Sequence, residues 1–269
     1  MKKLNLWTTI VVTLLLVSGC NKEENPSDKS QITFKEFTVN DVSFKMIKVD
    51  GGTFDMGGTP EQGEDAWKKE FPVHQVTLSD YYIGETEVTQ GLWEAVMGSN
   101  PSNHQGNPQY PVEMVTWSEV VKEFIPKLNE LTGKTFTLPT EAQWEFAARG
   151  GNKSKGFKYS GSNDFNEVGW SSDNSNTDGE HESHPVGQKL PNELGLYDMS
   201  GNVFEWCLDW MGPYTEEPQT NPTGPESGDL RIIRSGFFYI PTSNCRVSSR
   251  SNYPDEKNYG IGFRLVLSL

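Results

Sequence analysis

Two carboxylates that flank a glycine-containing turn are the residues of this sequence that point most directly to chemistry. The stretch 194–206, L-G-L-Y-D-M-S-G-N-V-F-E-W, carries Asp198 and Glu205 on either side of Gly201. Its apolar residues follow neither the period of a strand nor that of a helix. Gly201 permits a backbone bend that other residues avoid, which would bring both carboxylates towards one point. Carboxylates on a bent loop suit a hard cation, so the stretch predicts a calcium site. The alternative is that both acids are surface charges or bond to the backbone.

Sulfur chemistry is limited by the cysteines, of which the whole chain has three. Cys20 belongs to the N-terminal segment described below, which leaves Cys207 and Cys245. An oxidising compartment would permit a disulfide between these two, and two separate buried thiols are the alternative. Cys245 alone lies in the stretch 231–250, R-I-I-R-S-G-F-F-Y-I-P-T-S-N-C-R-V-S-S-R. It is the candidate catalytic residue only through the family resemblance given below.

Histidines and a glutamate pair give weaker signals. His181 and His184 are three residues apart in an acidic loop, where a transition-metal site or two solvated histidines are both conceivable. Glu141 and Glu145 are one helical turn apart. We expect them to pair with an arginine such as Arg149 rather than to act as an acid–base couple.

A second cation-binding pattern lies in the loop 174–179, N-S-N-T-D-G. Asn174, Asn176 and Asp178 are spaced like the first ligands of an EF-hand loop. The twelfth position of that loop, where an EF-hand needs glutamate, is Pro185. A complete EF-hand is therefore excluded, while a simpler calcium site that includes Asp178 remains open.

The first 20 residues predict a secretory signal. Lys2 and Lys3 form a basic start, and the apolar run that follows is short for a membrane span. Its end, L-V-S-G-C, resembles a bacterial lipoprotein box, with cleavage before Cys20 and lipid attached to the Cys20 thiol; a single membrane anchor is the alternative. Residues 21–33 predict a flexible tether because they are polar. We therefore expect a lipid-anchored protein of the cell envelope, at the outer membrane or cell surface of a Gram-negative bacterium.

The formal net charge of −14 excludes some partners. An acidic surface repels phosphate backbones, so nucleic-acid binding is not expected. Metal cations and basic or neutral partners fit this charge better.

Residues 34–269 predict one domain of the α+β class with little regular secondary structure. Alternating apolar residues at 32–50 indicate one or two strands. Helices are expected after Thr89, Ser118 and Thr140, each of which suits a helix N-cap, with a bend at Pro126. From 150 to 235 the chain is rich in Gly, Asn, Ser, Asp and Pro. Such long loops need stabilising interactions besides secondary structure, and bound cations are the natural candidates.

Seven motifs in a fixed order resemble those of the formylglycine-generating enzyme family, also called sulfatase-modifying factors, and together they cover residues 44–269. The motifs are G-G-T-F-D-M-G (51–57), P-V-H-Q-V (72–76), E-V-T-Q (87–90), P-V-E-M-V-T-W (111–117), L-P-T-E-A-Q-W-E-F-A-A-R-G-G (138–151), G-L-Y-D-M-S-G-N-V-F-E-W (195–206) and G-F-R (262–264). The resemblance implies the formylglycine-generating-enzyme fold, which is related to C-type lectin domains.

The resemblance also implies two calcium sites. The first would use the side chains of Asp198 and Glu205 with the carbonyls of Gly201 and Val203. The second would use the side chains of Asn166 and Asp178 with the carbonyls of Glu167 and Glu180.

The family's oxidase chemistry implies a copper(I) site built on two cysteine thiolates, and here this chain departs from the pattern. Aligned from the left of 231–250, the two thiol positions fall on Ile240 and Cys245; aligned from the right, they fall on Phe237 and Thr242. Neither register gives two thiols. The family's R-G-G-S also reads R-S-G-F at 234–237. Copper binding is therefore not expected.

Three functions remain open. The first is a non-catalytic binding or assembly module, with an exported protein or a glycan as its ligand. The second is a formylglycine-generating oxidase that acts on a sulfatase cysteine or serine. The third is a different chemistry in the same cleft. Whether the chain is an enzyme is left open at this point.

Overall fold

The alternating residues at 32–50 form a hairpin of two strands in the computed structural model, as predicted. Strand β1 (Phe34–Val39) pairs antiparallel with β2 (Val42–Val49), and Phe37 lies opposite Phe44. The structure describes residues 32–177 and 179–269, and Ile32–Leu269 form one unit. The predicted signal with Cys20, residues 21–31 of the predicted tether, and the predicted ligand Asp178 lie outside the described residues.

The remaining strands are short. They are β3 (Gly52–Met56), β4 (His74–Leu78), β5 (Tyr81–Gly84), β6 (Phe136–Thr137), β7 (Asn176–Thr177), β8 (Glu180–His181), β9 (Phe204–Trp210), β10 (Gln219–Thr220), β11 (Arg231–Arg234), β12 (Ser251–Tyr253), β13 (Ile261–Gly262) and β14 (Val266–Ser268). The helices are α1 (Gln90–Met97), α2 (Trp117–Glu119), α3 (Ile125–Thr132), α4 (Glu141–Ala148) and α5 (Phe165–Val168), with 3₁₀ turns at Pro60–Asp65, Lys68–Glu70, Gly151–Lys153 and Thr242–Asn244. This is an α+β architecture with little regular structure, as predicted.

Two sheets organise the described residues. The larger has the order β1-β2-β5-β14-β6, so that β14 lies between β5 and β6 although it comes last in sequence. The second has the order β12-β11-β9-β13, in which β9 pairs antiparallel with β11 and parallel with β13. Smaller sheets join β10, β4 and β3, and β7 with β8. Strand β9 directly follows the Gly201 turn, so the second sheet fixes that turn.

Local capping signals set the helix ends. Thr89 caps α1 by accepting from the Leu92 amide, and Thr140 with Gln143 forms the predicted capping box of α4. The helix expected after Ser118 instead begins after Thr116, because Glu119 completes a capping box with Thr116. A π-helical turn over Val120–Phe124 joins α2 to α3.

Buried arginine–carboxylate pairs hold the long loops together. Arg234 donates to Glu141 and Glu145, at 2.8 Å each, and all three side chains are almost fully buried. Arg246 donates to Glu70 at 2.6 Å, again with both side chains fully buried. Arg149 also contacts Glu145, as predicted from the sequence. The Arg234 and Arg246 pairs join segments far apart in sequence, so these guanidinium groups link the irregular parts of the chain to one another.

Within the described ranges, no helix combines the length and the apolar character needed to cross a membrane.

Candidate functional site

The Gly201 turn has the backbone conformation that the sequence predicts. Asp198, Gly201 and Asn202 all have positive φ angles, of 57°, 95° and 62°. A Cβ added to Gly201 would lie 2.0 Å from the Trp170 carbonyl oxygen, so no other residue fits there. The turn and the start of β9 therefore bring Asp198 and Glu205 into one buried region, where their exposed fractions are 1% and 0%.

Glu205 is fully engaged by protein groups. Arg264 donates to both of its carboxylate oxygens, from Nε and Nη2, at 2.6 Å each. The indole Nε1 of Trp144 donates to Glu205 Oε2 at 2.7 Å. Because this carboxylate already has a bidentate arginine partner, it does not offer its oxygens to a metal.

The carbonyls of the turn are engaged as well. The Ser235 hydroxyl contacts the Gly201 carbonyl at 2.9 Å and the Asp198 carbonyl at 3.2 Å. The same hydroxyl accepts the Gly201 amide at 3.0 Å. Predicted ligands Asp198, Gly201, Val203 and Glu205 therefore lie in the expected turn. A cation there would have to displace Arg264 from the Glu205 carboxylate and Ser235 from the Gly201 carbonyl. Calcium binding at this turn stays a prediction.

Asp198 has a second acid as its neighbour. The Gly187 amide donates to Asp198 Oδ2 at 2.7 Å, and Asn202 Nδ2 donates to Glu87 Oε1 at 3.1 Å. In the described structure, Asp198 Oδ1 and Glu87 Oε2 are buried without a hydrogen-bond partner. Burial raises the pKa of Asp198 to about 6, and the charge of Glu205 adds to the rise while a contact with Glu87 opposes it. Burial, with the charge of Asp198, raises the pKa of Glu87 well above its ordinary value. These acids are held partly neutral.

The second predicted calcium region is only partly described. Asn174 Nδ2 donates to Asn166 Oδ1 at 3.1 Å, and the Glu167 carbonyl accepts the Leu190 amide at 2.9 Å. Glu180 lies in the short strand β8. Since Asp178 lies outside the described residues, calcium binding by Asn166, Glu167, Asp178 and Glu180 stays a prediction.

The two loop histidines do not converge. His184 stacks on Trp170 with ring centroids 3.7 Å apart, whereas His181 Nδ1 lies 3.1 Å from the Ser175 hydroxyl. Burial lowers the pKa of His184. Across residues 32–177 and 179–269, no group of three or more His, Cys, Asp or Glu side chains is placed to hold a metal ion.

Both cysteines of the domain are free and fully buried, and their sulfurs belong to separate apolar clusters. Cys207 packs with the core around α4, and Cys245 packs with Tyr159, Phe165 and Val168. Burial raises the pKa of both thiols well above the ordinary cysteine range. The predicted alternative of two buried thiols is confirmed for the described structure, and Cys245 is a protonated core residue rather than a thiolate.

The buried thiols lead to a prediction about reactivity. In a soluble form carrying Cys20→Ser, we expect neither Cys207 nor Cys245 to react with dithiobis-nitrobenzoate before the protein unfolds, because the thiolate is the reactive species. In denaturant both thiols should react. Tyr239→Cys, at a position that is 54% exposed, is the positive control and should add one fast-reacting thiol. Rapid labelling of the parent protein under native conditions would contradict the burial of these thiols.

An aromatic patch begins at the residue after Gly236. We define it as Phe237, Tyr239 and Tyr259, in which Tyr239 is 54% and Tyr259 is 44% exposed. The Phe237 ring lies 6.5 Å from Tyr239 and 6.2 Å from Tyr259. A Cβ added to Gly236 would lie 2.5 Å from Cys245 Sγ, so the backbone that leads into the patch packs directly on the buried thiol.

Sequence reasoning missed the partners of this site. Arg264 and Ser235 are distant in sequence from the carboxylate and carbonyls they contact, and nothing local marks either contact. The aromatic patch had a signal, the consecutive aromatics F-F-Y at 237–239, but the distant Tyr259 that completes it did not.

Comparison with known proteins places this geometry in context. A family model described as "Sulfatase-modifying factor enzyme 1-like domain" matches residues 31–269. The chaperone protein LppX of Paenibacillus barcinonensis is 33% identical, over 84% of this chain and 90% of that protein. The formylglycine-generating enzyme of Streptomyces coelicolor is 31% identical, over 81% of this chain and 87% of that enzyme. Among solved structures, Treponema denticola variable protein 1 is similar with a TM-score of 0.79 at 31% identity, covering 89% of this chain and 100% of that one.

Proposed function

Because this chain belongs to the family of sulfatase-modifying factor enzyme 1-like domains, we propose that it is a non-catalytic binding module of that family. Its ligand is another exported protein, which it engages through the aromatic patch. The observation that carries this proposal is the state of Cys245, a single thiol that is buried and protonated. A copper(I) site of the oxidase type needs thiolate ligands, and this position offers none at neutral pH.

The aromatic patch supports a binding role. Exposed tyrosines supply large contact areas at little cost in side-chain entropy, which is why they are enriched in protein interfaces. One relative with similarity over most of its length is named a chaperone, and engaging an unfinished exported protein would require an exposed aromatic surface of this kind.

The anchoring proposal rests on the N-terminal sequence. L-V-S-G-C ending at Cys20 and the polar residues after it suit a lipid-modified cysteine followed by a tether. In this proposal, the lipid on Cys20 holds the module at the cell envelope, where exported proteins fold. Labelling cells with a radioactive or clickable fatty acid tests it, since label should be lost in Cys20→Ala.

A loss of binding on removal of the patch tests the module directly. We expect the double variant Tyr239→Ala/Tyr259→Ala to lose at least about tenfold in affinity for a reduced, carboxymethylated secreted protein, because interface aromatics often contribute 2 kcal/mol or more each. Binding is measured by fluorescence anisotropy, with suppression of aggregation as a second readout. Trp67→Ala, which removes an equally exposed aromatic elsewhere, is the matched control and should bind as the parent does.

Two outcomes would point away from this function. If Tyr239→Ala/Tyr259→Ala binds as tightly as the parent, the aromatic patch is not the binding site. If the domain binds oligosaccharides and no protein, its ligand is a glycan. The oxidase alternative is favoured by the similarity to formylglycine-generating enzymes. A copper(I) titration with turnover of a cysteine-containing sulfatase peptide, in the parent and in Cys245→Ser, decides it. Tight copper binding and turnover that vanish in Cys245→Ser would overturn the module.

A further inference from the structure

A half-open cavity of about 320 Å³ lies beside the loop 212–225, and none of its lining residues belongs to the aromatic patch. The apolar part of its wall is formed by Met56, Ala142, Pro213, Tyr214, Pro222 and Pro225. His74 also lines it, with its ring tilted against Tyr214 at 4.6 Å between ring centroids. A cleft that combines apolar walls with a few polar groups is a usual form of a small-ligand site.

The polar end of this cavity is formed by Asp209, which is 4% exposed. The Glu141 amide donates to Asp209 Oδ2 at 2.9 Å, and among the described residues no other residue donates to this carboxyl, which its own backbone amide also contacts. Gly224 lies over the other oxygen, at a distance of 3.1 Å from Oδ1 to an added Cβ. Asp209 Oδ1 thus has no donor from another residue at the polar end of the cavity.

The other charged groups at this end are already paired. Arg250 donates from Nε and Nη2 to the two Glu141 oxygens, at 2.8 and 2.6 Å, and from Nη1 to the carbonyls of Lys69 and Gly212. Arg234 Nη1 donates to Glu141 Oε1 at 2.8 Å. Because the N–H groups of Arg250 already donate to protein oxygens, they are not available to an anion in the cavity. Of the two acids that line the cavity, Glu141 is paired with arginines and Asp209 is not.

A metal ion does not suit this place either. The described residues contain no group of three or more His, Cys, Asp or Glu side chains arranged to hold one. His74 Nδ1 is occupied by a contact of 3.2 Å with the Pro72 carbonyl. A carboxyl with aromatic walls and no further ligands is better matched to an organic cation, whose charge meets the acid while its carbon stem contacts the rings.

We propose that this cavity binds a primary ammonium group on a short apolar stem, with Asp209 as its counter-ion. The ammonium donates to Asp209 Oδ1, and the stem lies against Tyr214 and the prolines of the loop 212–225. The charge-assisted hydrogen bond supplies the donor that this oxygen lacks. No step of this inference depends on the aromatic patch or on its proposed ligand.

Binding by this route requires Asp209 to be ionised. Burial raises the pKa of Asp209 to about 7, and the charge of Glu141 adds to the rise while Arg250 opposes it. The titratable or charged groups that face Asp209 from the packed elements are Glu141, His74, Tyr214, Arg231 and Arg250. Because the competent fraction of Asp209 rises from about one tenth at pH 6 to about nine tenths at pH 8, the affinity should rise roughly tenfold over that range.

The test uses n-butylammonium, which stays cationic across this range, with n-butanol as its neutral equivalent. Binding is measured by saturation-transfer NMR on the soluble form of the whole chain carrying Cys20→Ser. We expect roughly tenfold tighter binding of n-butylammonium at pH 8 than at pH 6, and at least a tenfold loss in Asp209→Asn, whose carbonyl can still accept the Glu141 amide. Glu94→Gln, an exposed acid on α1, should leave binding unchanged.

A second ligand distinguishes two possible sources of the ammonium group, a lysine side chain of a protein and a free amine. Capped lysine, Nα-acetyl-lysine N-methylamide, should match or exceed n-butylammonium if the cavity accepts a lysine side chain from a protein, and should bind more weakly if it accepts free amines alone. Equal binding of n-butanol, a flat pH profile in the unmutated domain, or full binding by folded Asp209→Asn would each overturn the inference. Tyr239→Ala/Tyr259→Ala should bind n-butylammonium normally, so failure of one proposal leaves the other standing.

Discussion

Arg264→Met is expected to lower the free energy of unfolding by about 3–5 kcal/mol, because it leaves the buried Glu205 carboxylate without its cation. Arg264 and Glu205 are both fully buried and are joined by two hydrogen bonds of 2.6 Å. Arg264 also donates to the carbonyls of Gly84 and Tyr197. For a domain of this size the loss corresponds to a fall of roughly 10 °C or more in the melting temperature.

Thermal and urea unfolding measure this effect. Arg264→Lys, which keeps the charge but loses the bidentate fork, should fall between the methionine variant and the parent. The matched control is Lys257→Met, which removes a partly exposed pair with Glu119 at 3.0 Å. It should change stability by at most about 1 kcal/mol. A melting temperature for Arg264→Met within a degree of the parent would show that Glu205 has another partner.

Stability should be highest near pH 5 and fall towards pH 8. Burial raises the pKa of Glu113 to about 7 and that of Asp209 to about 7. An acid whose pKa is higher in the folded state binds its proton more tightly there, so stability is lost as pH rises from the unfolded pKa to the folded one. Glu113 and Asp209, at about 1.4 kcal/mol per pH unit each, predict a fall in melting temperature on the order of 10 °C between pH 5 and pH 7. The raised pKa values of Asp198 and Glu87 add to this fall.

Below about pH 5 the dependence of stability on pH has the opposite sign, so that stability falls as the pH is lowered. Arg250 and Arg234 lower the pKa of Glu141 although its burial opposes them, and Arg246 does the same for Glu70. Their contribution is complete above the unfolded glutamate pKa and is lost as pH falls through the folded value. Melting curves from pH 3 to 9 record both sides. Glu113→Gln/Asp209→Asn should flatten the slope between pH 5 and 7, whereas Glu94→Gln should not; an unchanged slope in the double variant would contradict the assignment.

Local signals in the sequence were sufficient for the turns and the helix ends. Positive φ at Gly201 and the caps at Thr89 and Thr140 depend on a few adjacent residues, and each was predictable. The α+β fold of the formylglycine-generating-enzyme type is confirmed, because the ordered motifs that indicated it also lie in the elements that build the core.

The occupancy of the predicted site was not predictable. Whether Glu205 contacts a metal or a guanidinium depends on Arg264. Arg264 lies two residues after β13, and β13 pairs with β9, the strand that carries Glu205. Likewise, Ser235 reaches the Gly201 turn only because β11 and β9 are neighbours. Tertiary contacts decide which group binds Glu205 and the Gly201 turn, so the residue types of one loop cannot predict it. The absence of a second cysteine near Cys245 was predictable, because it follows from the sequence alone.

The place of β14 in the larger sheet has a consequence for biosynthesis. Residues 266–268 fill the gap between β5 and β6, so β1, β2 and β5 have an open edge until almost the whole domain has been made. A nascent chain in that condition has not closed its larger sheet. Its unpaired strand edge can form hydrogen bonds with a strand of another chain, which favours aggregation.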